Sequence, residues 1–98
     1  MSFPLITKEQ IPLQLLSTKE VLEGTFAQTK RKYQLQKAAQ LNRLFYCKVK
    51  IVFETSEGRK ELKAHILRVT DTHVILKGDI NIPVCCICEV FRDEDCDD

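Results

Sequence analysis

From Thr25 to Glu57 the chain contains neither glycine nor proline, and within that run its hydrophobic period changes once, after Phe45. Before the change, Leu35, Ala38, Ala39 and Phe45 recur at helical spacing, with Leu41 at the margin of their face. The remaining positions are mainly Lys, Arg, Gln and Thr, which suit a solvated helical surface. A helix is therefore expected over 26–45, with Thr25 and Gln28 forming a capping box. After the change, Val49, Ile51 and Phe53 alternate with Lys48, Lys50, Val52 and Glu54, the period of a half-buried strand. One long helix followed by strands restricts the chain to the α+β class.

The strand rhythm continues to residue 91. Ser56-Glu57-Gly58 reads as a hairpin turn, with glycine available for positive φ. Leu62, Ala64 and Ile66 alternate, and then the apolar phase shifts to Leu67 and Val69. A phase shift inside a strand implies a bulge or a sharp bend. Thr70-Asp71-Thr72 and Gly78-Asp79 are further turns, in which the Asp side chains are expected to close the backbone. Short strands are expected at His73–Lys77 and Ile80–Val84, with Pro83 marking an edge or a strand end. Cys85–Phe91 supplies the last strand. The expectation is an N-terminal helix followed by a five-stranded antiparallel SH3/Sm-like small barrel, or a strongly bent sheet.

The helix and strands make a domain over 25–91. Residues 1–24 read as an arm with short helical turns. Thr7-Lys8-Glu9-Gln10 and Ser17-Thr18-Lys19-Glu20 have capping-box form, Pro12 limits the first turn, and Gly24 is placed to end the second. The arm holds Ile11, Leu13, Leu15, Leu16, Val21 and Leu22, too many apolar groups for a solvated tail. It is expected to pack on its own domain or on a second subunit. Residues 92–98 form an acidic tail with the composition of a disordered segment. The start, MSFPLITKEQ, lacks a basic segment followed by a long apolar stretch, so neither a signal peptide nor a membrane span is expected.

The residues Gly58-Arg59, Leu62, Ala64, Ile66, Asp71 to Leu76, and Ile87 to Val90 carry a family resemblance. Over 49–90 they resemble the Sm-like fold, and particularly the bacterial Hfq proteins. That family has a glycine-rich turn leading into a bent strand, an Asp before a Val-Ile-Leu strand, and a last strand with spaced Ile and Val. The resemblance implies a helix capping a small open barrel. Ala64 stands where the family usually has Gly, and Val84-Cys85-Cys86 replaces a Lys-His pair of its uridine pocket. The resemblance therefore carries no RNA-binding residue onto this chain.

The formal charge of +1 conceals a strong segregation. Residues 25–50 carry seven cations and no acid, whereas 89–98 carry six acids and one Arg. The basic segment suggests nucleic-acid binding, with RNA preferred, through Lys30, Arg31, Lys32, Tyr33, Lys37, Arg43, Lys48 and Lys50. Cations would neutralise phosphates, and Tyr33, Phe45 and Tyr46 would stack on bases. The competing reading is a solvated helix face, or a helix paired with the chain's own acidic end. On a helical wheel the cations spread around most of the circumference rather than forming one stripe.

The five cysteines are odd in number and three lie within 85–88, a poor disulfide framework that points to a reducing compartment. On a strand, Cys86 and Cys88 would share a face and Cys85 would oppose them. Paired ligands across tight turns are missing, so core packing is favoured over zinc with His65 or His73. His65 is expected to face outward. No catalytic constellation, metal set or cofactor motif is visible. The chain thus reads as a non-enzymatic cytoplasmic interaction module. Its expected partners are a protein or itself, as a homodimer or ring, with RNA as the alternative and no membrane.

Overall fold

The computed structural model describes residues 5–6, 16 and 19–92. A two-residue strand β1 (Leu5–Ile6) precedes helix α1 (Thr25–Phe45). Strands β2 (Val49–Thr55), β3 (Gly58–Ala64), β4 (Ile66–Val69), β5 (His73–Leu76) and β6 (Ile80–Pro83) follow. A single 3-10 turn (Val84–Cys86) leads into β7 (Ile87–Arg92). The α+β class is as expected. The strands form a four-stranded sheet in the order β1-β3-β2-β7 and a three-stranded sheet in the order β4-β5-β6. All neighbours are antiparallel except β1 and β3.

Two expectations are corrected here. Six strands follow the helix rather than five, because the strand leaving Gly58 breaks at His65 and its halves join different sheets. The sheets also do not close into a barrel. Among the described residues, β6 is bonded only to β5 and β7 only to β2, so the ladder is open between them, where the 3-10 turn stands. Pro83 lacks the N–H that would continue a ladder, and the chain turns away directly after it.

The expected bend is present. Between Ile66 and Arg68 the pairing with β5 shifts by one, leaving Leu67 as the extra, exposed residue. A second irregularity, opposite Val52 and Phe53, leaves Cys88 as the extra residue in β7. The β2–β3 hairpin turns through Ser56-Glu57, with Gly58 at φ 102°. Thr55 Oγ1 donates to the Gly58 carbonyl at 2.7 Å and accepts from the Glu57 N–H at 3.1 Å, fastening the turn.

Helix α1 begins at Gly24, which sits at φ 87° as the N-cap with no side-chain cap. The Thr25–Gln28 capping box does not form. Instead Gln28 Nε2 donates to the Leu22 carbonyl at 3.1 Å. Residues 19–24 are not helical, so Gly24 opens α1 rather than ending an earlier helix. The helix ends at Tyr46, in the left-handed region at φ 54°, whose N–H bonds to the Asn42 carbonyl. The Thr7–Gln10 box, Pro12, Ser17, Thr18 and, in the acidic tail, residues 93–98 lie outside the described residues.

One core unites the two sheets. Helix α1 packs against β4 and β7 and so bridges them. Its buried face is Arg31, Leu35, Ala38, Ala39 and Asn42. The two alanines let the helix lie close to the sheets, over Ile51, Phe53, Leu62, Ile66, Leu76 and Ile87. Phe45, expected on that face, is half exposed, because the buried stripe ends at Asn42 and the helix stops before another turn is completed. Within the arm, Ile6 belongs to this core and Leu16 packs against it, bridging to Thr55.

Candidate nucleic-acid interface

The basic segment splits into three environments. Arg31 is buried and unavailable to phosphate, a correction to its reading as a contact residue. Its Nη1 and Nη2 donate to the two carboxylate oxygens of Glu20 at 2.6 and 2.5 Å, and Nη1 also donates to the Ile87 carbonyl at 3.1 Å. Nε is buried without a partner. Val21 N–H bonds to the Cys85 carbonyl, so the segment 19–24 straps the start of β7 to the helix. The Arg31 guanidinium beside Glu20 holds that carboxyl below its usual value, against the opposing effect of burial.

Lys32 and Arg43 stand on the flank of α1 that faces β4. Lys32 lines a cleft with Val69 and Asp71, and Arg43 lines another with Leu67 and Arg68. Lys30, Tyr33 and Lys37 follow each other at three- and four-residue steps on the outward side, where all are exposed. The Lys37 ammonium lies 6.0 Å from the Tyr33 ring centroid. Beyond the end of the helix, Lys48 is exposed and Lys50 is half-buried on β2.

Tyr33 and Lys37 form one wall of an open groove of about 260 Å³ between α1 and β7. Phe91 and Arg92 form the other wall, and Ala38, Leu41, Val49 and Val90 line it with apolar groups. The Lys50 ammonium lies 5.9 Å from the Phe91 ring centroid, so each aromatic wall carries a lysine above a ring face. Val49 pairs with Arg92 and Lys50 with Phe91 across the β2–β7 ladder, and this register sets the second wall. Sequence reasoning placed Tyr33, Lys37 and Lys50 in one segment but missed Phe91. The signal was present: Phe91 follows Val90 in a strand whose Val90 must face the core.

Other expected features take different places. His65 is buried at the break between β3 and β4, not outward as its alternation suggested. The bend changes the strand's parity there. Its Nδ1 lies 2.7 Å from Asn42 Oδ1, its ring stacks on Tyr46 with centroids 4.0 Å apart, and its carbonyl accepts from the Lys77 N–H. Lys77 Nζ donates to the Tyr46 hydroxyl. Tyr46 is thereby committed to this cluster rather than to the groove. The turn at 70–72 is closed by Thr70, whose Oγ1 accepts from the N–H groups of Thr72 and His73, rather than by Asp71.

Cys85 and Cys86 lie in the 3-10 turn instead of on a strand. Cys86 is fully buried, its Sγ donates to the Pro83 carbonyl at 3.1 Å, and burial pushes its thiol up to about 12. Burial also raises the Cys88 thiol. Cys85, Cys86 and Cys88 are free, but Cys47 is disulfide-bonded. Among the described residues, no group of three or more His, Cys, Asp or Glu could hold a metal ion. No described helix is long and apolar enough to cross a membrane. Comparison with known proteins finds no matching family model, no matching curated protein and no matching solved structure.

Proposed function

We propose that the chain is a small, non-enzymatic, cytoplasmic interaction module that associates with a second copy of itself. In this reading its scaffold is an SH3/Sm-like, strongly bent sheet capped by a helix. The bent strand through His65, the short hairpins and the single turn before β7 support that scaffold.

The observation that carries the partner is the outward face of α1. Phe26 is 83% exposed, Tyr33 63% and Leu44 64%, an unusual cost for a monomer of this size. Phe26 and Leu44 are 18 residues apart. That is about five helical turns, or about 27 Å along one meridian of the helix. Tyr33 lies between them. A two-fold antiparallel pairing of α1 helices sets Phe26 of one copy against Leu44 of the other, at both ends of one isologous contact.

Sedimentation equilibrium of the full chain tests this reading. A monomer–dimer equilibrium is expected, shifted to monomer by Phe26→Ser with Leu44→Ser. Both positions are exposed, so the variant keeps the fold, which circular dichroism checks. A chain that stays monomeric at about 1 mM, where association is worth only about 4 kcal/mol, overturns the proposal.

A further inference from the structure

We propose that the groove between α1 and β7 binds single-stranded nucleic acid, with bases stacking on Tyr33 and Phe91 and phosphates taken by Lys37 and Lys50. This goes beyond self-association; the two share the outward side of α1 at Tyr33, so strand and second copy compete there.

Three observations converge on this ligand. First, the groove has an aromatic ring on each wall, Tyr33 on the helix and Phe91 on the strand, 63% and 39% exposed. Unstacked bases use such platforms without regard to sequence, because every base offers a π-face. A duplex keeps its bases stacked on one another and offers none. Second, a lysine ammonium stands 6.0 and 5.9 Å from the two ring centroids. These distances lie at the outer limit of cation–π attraction, about 6 Å, so an arriving base displaces the ammonium at little cost. The lysine stem then carries the charge to the adjoining phosphate. An acidic peptide would use the lysines and leave the ring faces idle.

Third, lysines gather around the groove, with Glu89 in the neighbouring cleft beside Lys30 and Gln34. Among the described residues, none of Lys30, Lys37, Lys48 and Lys50 takes part in an ion pair. Lys30 and Lys48 are exposed and extend the cationic surface beyond the groove. The groove itself, about 260 Å³ and open, falls below the roughly 300–1,000 Å³ of clefts that enclose a small molecule. It suits a strand laid across it. Its apolar lining of Ala38, Leu41, Val49 and Val90 meets the edges of stacked bases without demanding a particular one.

Fluorescence anisotropy with labelled RNA and DNA single strands of roughly 12 nucleotides, at low salt, tests the site. Binding of either supports it, and the two arms identify the sugar preferred. Tyr33→Ala and Phe91→Ala are each expected to weaken binding about tenfold. Lys37→Glu is expected to weaken it further, whereas Arg43→Glu makes the same charge change on the flank facing β4 and is expected to have a much smaller effect. Circular dichroism confirms that each variant is folded. Three results overturn the proposal: no binding of either strand, affinity unchanged in both aromatic variants, or Arg43→Glu as damaging as Lys37→Glu. Equal competition by polyglutamate overturns it too, since that shows a generic polyanion surface.

Discussion

The guanidinium of Arg31 is buried between the 19–24 strap and the start of β7, and among the described residues the one carboxylate that neutralises it, Glu20, remains about one-third exposed. Removing that carboxylate leaves a buried cation whose Nε already has no partner, which is costlier than the pair itself is stabilising. Because water reaches Glu20, the loss is reduced toward that of a surface pair, and Glu20→Gln is expected to cost about 1 kcal/mol at neutral pH. The pH dependence has a definite sign. Arg31 lowers the folded-state pKa of Glu20 below the ordinary 4.5, so its contribution is fully present above 4.5. It is lost as pH falls from there through the lowered value. Urea midpoints of the wild type and Glu20→Gln should therefore differ at neutral pH and converge in acid. A gap that persists unchanged at the acid end would mean that the ion pair is not its source. The same residue shows why charge counting misleads: one of the seven cations in 25–50 is a structural clamp.

At the scale of elements, the β2–β3 hairpin depends on one backbone conformation. Gly58 sits at φ 102°, and nothing lies within 4 Å of the position a Cβ would take. Gly58→Ala therefore meets no clash, and its cost is conformational alone, about 1–2 kcal/mol. A thermal midpoint equal to that of the wild type would show that the turn relaxes to another type. This turn, the helix and the bend were legible in the sequence because each is local. Ser56-Glu57-Gly58 marks the turn, the span free of glycine and proline marks α1, and Leu67 breaks the alternation where the bulge falls. What was not legible depends on distant partners. Asn42 is buried because its Oδ1 meets His65 Nδ1 across the bend, and Arg31 because Glu20 meets it from the strap. The parallel pairing of Leu5 and Ile6 with Glu61 and Leu62 has no local signature. The 3-10 turn at Val84–Cys86 was concealed because its Val, Cys and Cys are ordinary strand residues. Of the groove residues Tyr33 and Lys37, and of Lys50 beside the Phe91 ring, all three could be named from one charged segment. Phe91 required the β2–β7 register, which sets it beside Lys50.

For the whole molecule, a net charge of +1 hides a basic band over α1 and its connection to β2, set against an acidic C-terminal end. Ionic strength therefore acts on the two proposed associations with opposite signs. In a two-fold pair of α1 helices, Lys30 and Lys37 of one copy approach those of the other. Added salt screens that repulsion within a Debye length of about 10 Å at 0.1 M, so dimerisation through the apolar face tightens. Nucleic-acid binding releases counterions instead. Four lysines, Lys30, Lys37, Lys48 and Lys50, give an expected slope of about −3 in log K against log salt for a single strand. Raising sodium chloride roughly tenfold should thus strengthen self-association and weaken strand binding about a thousandfold. Sedimentation and anisotropy on the same preparation measure both. If self-association weakens with salt as well, the helices are not meeting through Phe26 and Leu44. The contact is then electrostatic, between the basic band of one copy and the acidic 89–98 end of another. Nucleic acid would compete with that end for the same lysines, and adding it would dissociate the dimer.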